Sequence, residues 1–235
     1  MMPTLVFIPG LMLTPRLYDP QVVAFRDRFP IVFGDTLNRG NITAMAEAAL
    51  AATEDEIIPV GLSMGGYVAL EMARLAPQRL KGLIIMDSNA ATDSPDRKAE
   101  RQRLIEMSGL GKFRGVTKTL LAQFIAHANL NDETITMPIM AMAEQVGREN
   151  FILQQQAIMS RRDQFDTLRQ LDIPGLFIVG SEDIAFLEPV RDMAAAMKNS
   201  TYVEIADAGH LPTLEEPEAV IDAMEGFLGK HYPLG

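Results

Sequence analysis

Ile57-Ile58-Pro59-Val60-Gly61-Leu62-Ser63-Met64-Gly65-Gly66-Tyr67-Val68-Ala69-Leu70-Glu71-Met72-Ala73-Arg74-Leu75-Ala76 opens as an apolar, β-branched run and continues with apolar residues at helical spacing. The change of period predicts a strand, a turn centred on Ser63, and a helix. A serine can lift its Oγ above a strand end only on a sharp, strained turn that crowds strand against helix. Gly61 and Gly65, two residues before and two after, relieve that crowding, and Gly66 adds room for close packing. The string alone is also compatible with a Gly-rich turn that holds an incidental serine. A nucleotide loop is a poorer fit, because neither G-x-G-x-x-G nor G-K-[ST] is present. Ser63 is therefore read as a nucleophile.

Outward from this stretch, short apolar runs alternate with helix-like segments. The runs are Thr4–Ile8, Ile31–Phe33, Ile57–Gly61, Leu83–Met86, Leu176–Val179 and Thr201–Ile205, with helical spacing near 18–29, 43–53, 64–76, 188–198 and 217–228. Near-continuous apolar strands alternating with helices predict an α/β fold whose parallel sheet is covered on both faces. The rhythm breaks between Asp93 and Gln170, where no strand is evident. That stretch reads as helices over 95–108, 112–128 and 133–160, the last broken near Gly147. The expected organisation is a core of residues 1–92 and 171–235 with a helical lid insertion over 93–170.

A serine nucleophile needs a base, and the base needs an orienting acid. The chain has three histidines. His127 falls in an expected insertion helix and His231 in the C-terminal tail. His210, in Asp207-Ala208-Gly209-His210-Leu211-Pro212, follows the last strand, at the sheet edge where α/β folds build their sites. Asp183 follows the preceding strand and is the favoured acid, with Glu182 adjacent to it. Asp87, at the end of Leu83–Met86, is a second contender. The resulting order, Ser63, Asp183, His210, suits a nucleophile placed on a strand-to-helix turn. Two oxyanion donors are also required. The Met64 N–H follows the nucleophile, and the Leu11 N–H lies in the loop after the first strand, where Gly10 permits a tight turn.

Composition limits the alternatives. Hydrophobic residues are 48% and charged residues 22%, which suits a globular chain. No apolar run approaches the roughly 18–20 residues of a membrane span. The start, Met1 to Ile8, lacks the basic region of a signal peptide, so a cytoplasmic location is expected. There is no cysteine, which excludes disulfides, thiolate zinc sites and a cysteine nucleophile. The net charge of −10 makes nucleic acid a poor partner. No His/carboxylate cluster has metal-ligand spacing, and no metal or other cofactor is expected.

Pro9-Gly10-Leu11, Gly61-Leu62-Ser63-Met64-Gly65-Gly66, Gly180-Ser181-Glu182-Asp183 and Ala208-Gly209-His210-Leu211-Pro212-Thr213-Leu214-Glu215-Glu216-Pro217 together resemble the α/β-hydrolase superfamily. The resemblance covers nearly the whole chain. It is nearest to small, cofactor-free, lid-bearing esterase-like members, such as pimeloyl-ester carboxylesterases and 3-oxoadipate enol-lactonases. It implies a serine hydrolase acting on a small-molecule ester through Ser63, His210 and Asp183. Two departures stand out: Pro9 replaces the frequent histidine before Gly10, and the chain starts at what would be the family's third strand, so about six parallel strands are expected.

Met12, with Leu11 and Met64, is expected to give apolar walls at the nucleophile. Met140 is read as a substrate contact in the lid. Met107, Met137, Met142 and Met159 fit either lid lining or core packing. Arg97, Arg101, Arg103, Arg161 and Arg162 read as a solvated helix face, with contact to an acidic substrate as the lesser alternative. The same three side chains could also serve C–C hydrolysis, lyase or perhydrolase chemistry, or persist in a non-catalytic receptor. A monomer or a homodimer fits the chain equally.

Overall fold

The computed structural model describes residues 2–233 apart from 111, 112 and 114. Six strands form one sheet: β1 (Thr4–Ile8), β2 (Ile31–Phe33), β3 (Ile57–Leu62), β4 (Leu83–Met86), β5 (Gly175–Gly180) and β6 (Ser200–Ile205). Every strand boundary lies within one residue of its expected place. The order is β2-β1-β3-β4-β5-β6, and all neighbours are parallel. β1, β3, β4 and β5 are buried along their whole length, which is why they read as unbroken apolar runs.

Alternate residues feed two cores. Leu5 and Phe7 point to one face, where α1 (Asp19–Phe25) and α10 (Pro217–His231) add Phe25, Val220, Met224 and Leu228. Val6 and Ile8 point to the other face, where α2 (Ile42–Ala51), α3 (Met64–Leu75), α7 (Phe165–Gln170) and α8 (Ile184–Ala196) pack. After β2 the chain returns past β1 to build β3 on its other side. The carboxyl ends of β1 and β3 therefore flank the point where strand order reverses, where an open parallel sheet leaves a crevice.

Between β4 and β5 lie α4 (Pro95–Ser108), α5 (Lys118–Leu121), a 3-10 turn over His127–Asn131 and α6 (Glu133–Ser160), with no strand among the described residues. The expected helix over 112–128 is corrected to the single turn α5, with part of its range outside the described residues. Gly115 at φ 60 breaks the helical path, and the Thr117 side chain caps a new start by accepting the Leu120 N–H. The expected break in α6 falls at Gly147, with φ 74 and ψ 173.

The arginine reading also needs correction. Arg101 and Arg161 both pair with Asp93, at 2.6 and 2.8 Å. Arg161 is buried, donates to the Ala91 carbonyl and stacks 4.2 Å over the Tyr67 ring. Through Asp93 these two side chains clamp the ends of the insertion together, and Arg161 ties them to the core at Ala91 and Tyr67. Arg97, Arg103 and Arg162 do lie on exposed surface.

Candidate active site

Ser63 caps α3 directly after β3, with φ 55 and ψ −117, a conformation a non-glycine residue adopts only when its surroundings force it. The surroundings are specific. The Ser63 N–H donates to the Met86 carbonyl at 2.9 Å, and the Ser63 carbonyl accepts the Ser88 hydroxyl at 2.8 Å. A Cβ at Gly65 would overlap the Ile8 carbonyl, and one at Gly61 would overlap the Gly65 carbonyl, so both positions exclude side chains.

His210 lies between β6 and α9 (Pro212–Glu215), and Asp183 caps α8 just past β5. The sheet brings all three side chains together. His210 Nε2 is 2.9 Å from Ser63 Oγ, and His210 Nδ1 is 2.6 Å from Asp183 Oδ2. An ionised carboxylate only accepts, so Nδ1 donates and the Nε2 lone pair is left for the serine proton. Ser63 is half-buried, whereas Asp183 and His210 are buried. The imidazole lies against Phe186 and Phe124, with ring centroids 4.8 and 6.1 Å away. This arrangement can activate an oxygen nucleophile.

The loop after β1 runs beside the serine. A Cβ built on Gly10 would lie 3.3 Å from the Ser63 Cβ. Leu11 follows, half-buried. Met64 is buried and opens α3, so its N–H has no acceptor within the helix. Both residues thus follow the strands that flank the point where strand order reverses.

A model of the Alpha/beta hydrolase family matches residues 5–223. The chain belongs to that family. Among curated relatives it is similar to the 3-oxoadipate enol-lactonase 1 of Acinetobacter baylyi, 23% identical over 96% of this chain and 88% of that one. It is also similar to the pimeloyl-[acyl-carrier protein] methyl ester esterase of Serratia marcescens, 26% identical over 81% of this chain and 77% of that one. Among solved structures, a thermophilic esterase from Thermogutta terrifontis superposes with a TM-score of 0.89 at 28% identity, covering 98% of this chain and 90% of that one.

Several residues that support the site in this alpha/beta hydrolase escaped the sequence reading. Glu215, on α9, accepts the N–H groups of Gly209, Leu211 and Ala126 and the Asn129 side chain, at 2.7–3.1 Å. It therefore braces the histidine loop and ties it to the insertion, as does the 2.7 Å bond from the His210 N–H to the Phe124 carbonyl. Gln154, on α6, is fully buried and accepts the Met12 N–H at 3.0 Å, while its own Nε2 has no partner among the described residues. Ser88 holds the Ser63 carbonyl.

Met12 is buried at φ 62, and Met140 is half-buried against the main core. Met142 is fully buried in that core, whereas Met107 and Met137 are exposed. His127 starts the 3-10 turn rather than lying within a helix, and His231 ends α10 rather than lying in a loose tail. Asp87, the second contender for the acid, is not remote. One ligand atom from each of Asp87, Asp183 and His210 lies within 4.8 Å of the others. A cation bound to His210 and Asp183 at ordinary lengths would hold their atoms about 3 Å apart. Their 2.6 Å separation is that of a direct hydrogen bond.

Proposed function

We propose that this chain is a serine-dependent carboxylic ester hydrolase acting on small to medium acyl esters. The observation that carries the reading is the unbroken series Ser63 Oγ, His210 Nε2, His210 Nδ1, Asp183 Oδ2 at 2.9 and 2.6 Å. In this reading Ser63 attacks the ester carbonyl while His210 takes its proton, and Asp183 holds the ring and stabilises the imidazolium. The Leu11 and Met64 N–H groups receive the developing oxyanion. His210 then protonates the leaving alkoxide, and water, deprotonated by the same ring, releases the acid from Ser63.

The names of the two curated relatives, a methyl ester esterase and an enol-lactonase, support acyl–oxygen cleavage. Residues 93–170 act as a lid in this reading, supported by the bonds that Gln154 makes to the loop beside Leu11 and Phe124 to His210.

The test is hydrolysis of p-nitrophenyl esters from acetate to octanoate. Ser63→Ala should lower kcat on the order of 10⁴–10⁶-fold. A fluorophosphonate probe should label Ser63 in the parent and nothing in the variant. An unchanged rate in Ser63→Ala would end the proposal.

A further inference from the structure

Asp87 follows β4 at φ 45 and is completely buried. Its neighbours already hold the nucleophile: Met86 accepts the Ser63 N–H and Ser88 donates to the Ser63 carbonyl. The same turn reaches across to β5, where the Asp87 N–H donates to the Ile178 carbonyl and Asp87 Oδ1 accepts the Gly180 N–H at 2.9 Å. Oδ2 is buried and accepts no hydrogen bond from any donor among the described residues. One carboxyl oxygen of Asp87 lies within 4.8 Å of one carboxyl oxygen of Asp183.

Two carboxylates cannot both stay ionised at that separation in a buried site. One proton between them removes the repulsion and gives Oδ2 a partner. Asp183 Oδ2 already has a partner in His210 Nδ1, 2.6 Å away. Asp87 accepts from one amide, that of Gly180, and the charged group that acts on it most is the Asp183 carboxyl, with Glu215 adding a smaller effect of the same sign. Nearby Tyr18 spends its hydroxyl on the Ile8 carbonyl.

Resting on the proposed roles of Ser63, His210 and Asp183, we propose that Asp87 is a positioning residue: as the neutral acid it donates its Oδ2 proton to Asp183 and fixes the carboxylate that orients His210. Burial, reinforced by the Asp183 charge, pushes the Asp87 carboxyl well above the ordinary carboxylate range, in keeping with this.

The geometry sets a specific test. In Asp87→Asn the amide oxygen still accepts from Gly180 and the amide NH₂ still donates to Asp183, so the variant imitates the proposed protonated acid permanently. Its kcat/KM on p-nitrophenyl acetate should stay near the parent value, with the acid limb of the pH profile unmoved. Asp87→Leu keeps the bulk and loses the donor, and kcat should fall on the order of 10²-fold with KM unchanged.

Independently of activity, the infrared spectrum of the parent at neutral pH should contain a protonated-carboxyl C=O stretch that is missing from Asp87→Asn. Any of three results overturns the proposal: no such band difference, an Asp87→Asn acid limb lowered by about one unit or more, or equal rates in Asp87→Asn and Asp87→Leu. If instead Ser63→Ala retains full activity, the serine mechanism fails, and the infrared difference alone still decides where the proton resides.

Discussion

At the scale of single residues, the site depends on what cannot be there as much as on what is. Gly65 leaves no room for a methyl group, because the obstacle is the Ile8 carbonyl, a backbone atom that cannot swing away. Gly65→Ala should therefore cost at least the roughly 1–3 kcal/mol typical of overpacking, read as a lower urea midpoint with the same slope. Gln154→Leu tests the opposite defect. It strands the buried Met12 N–H, at a cost of about 1–3 kcal/mol, and should also lower kcat on p-nitrophenyl esters by loosening the loop that carries Leu11. An unaffected kcat would limit Gln154 to a structural role. These residues also differ in legibility. Ser63, Asp183 and His210 each stand at a strand end inside a local string that can be read. Gln154 meets Met12 across 142 residues, and its partner is a main-chain group that leaves no mark on side-chain identity.

At the scale of elements, the strands were legible because burial on both faces writes itself into continuous apolar runs. The helix expected over 112–128 was not, since Leu121 and Ile125 are buried four residues apart, a spacing that imitates a helix, while Gly115 turns the chain left-handed. The short helix α9 also escaped notice. Four residues give no periodicity, yet α9 presents Glu215 to three buried N–H groups. Glu215→Ala should destabilise the fold by about 1–3 kcal/mol for the first donor left unpaired, with less than additive losses for the others. It should also reduce kcat more than KM, because the loop it releases carries His210. Thermal melts and a full Michaelis analysis would check both.

At the scale of the molecule, two carboxylates fasten the insertion, Asp93 by clamping its two ends together and Glu71 by tying it to α3. Asp93 binds Arg101 and Arg161, and Glu71 on α3 binds Thr43, Arg74 and Gln164. For Glu71, burial alone would raise the carboxyl, but the donors, Arg74 first, outweigh it and bring it down from 4.5 to about 2. A lowered folded value contributes stability that is complete above pH 4.5 and lost as pH falls towards about 2. Glu71→Gln should thus melt at lower temperature than the parent at neutral pH, and the gap should close as the buffer approaches pH 2. A gap that stays constant with pH would show that charge is not what Glu71 supplies. The pairing of Leu83 in β4 with Gly175 in β5 has a different kind of consequence. Those neighbours close a detour of 92 residues, 175 minus 83. Loop-closure entropy grows only with the logarithm of length, so halving or doubling that detour changes the closure cost by about 0.6 kcal/mol. Closure entropy therefore constrains the length of the insertion weakly, and a longer or shorter one could be grafted between β4 and β5 provided it restores the apolar contacts of Ile139 and Met142 with the core.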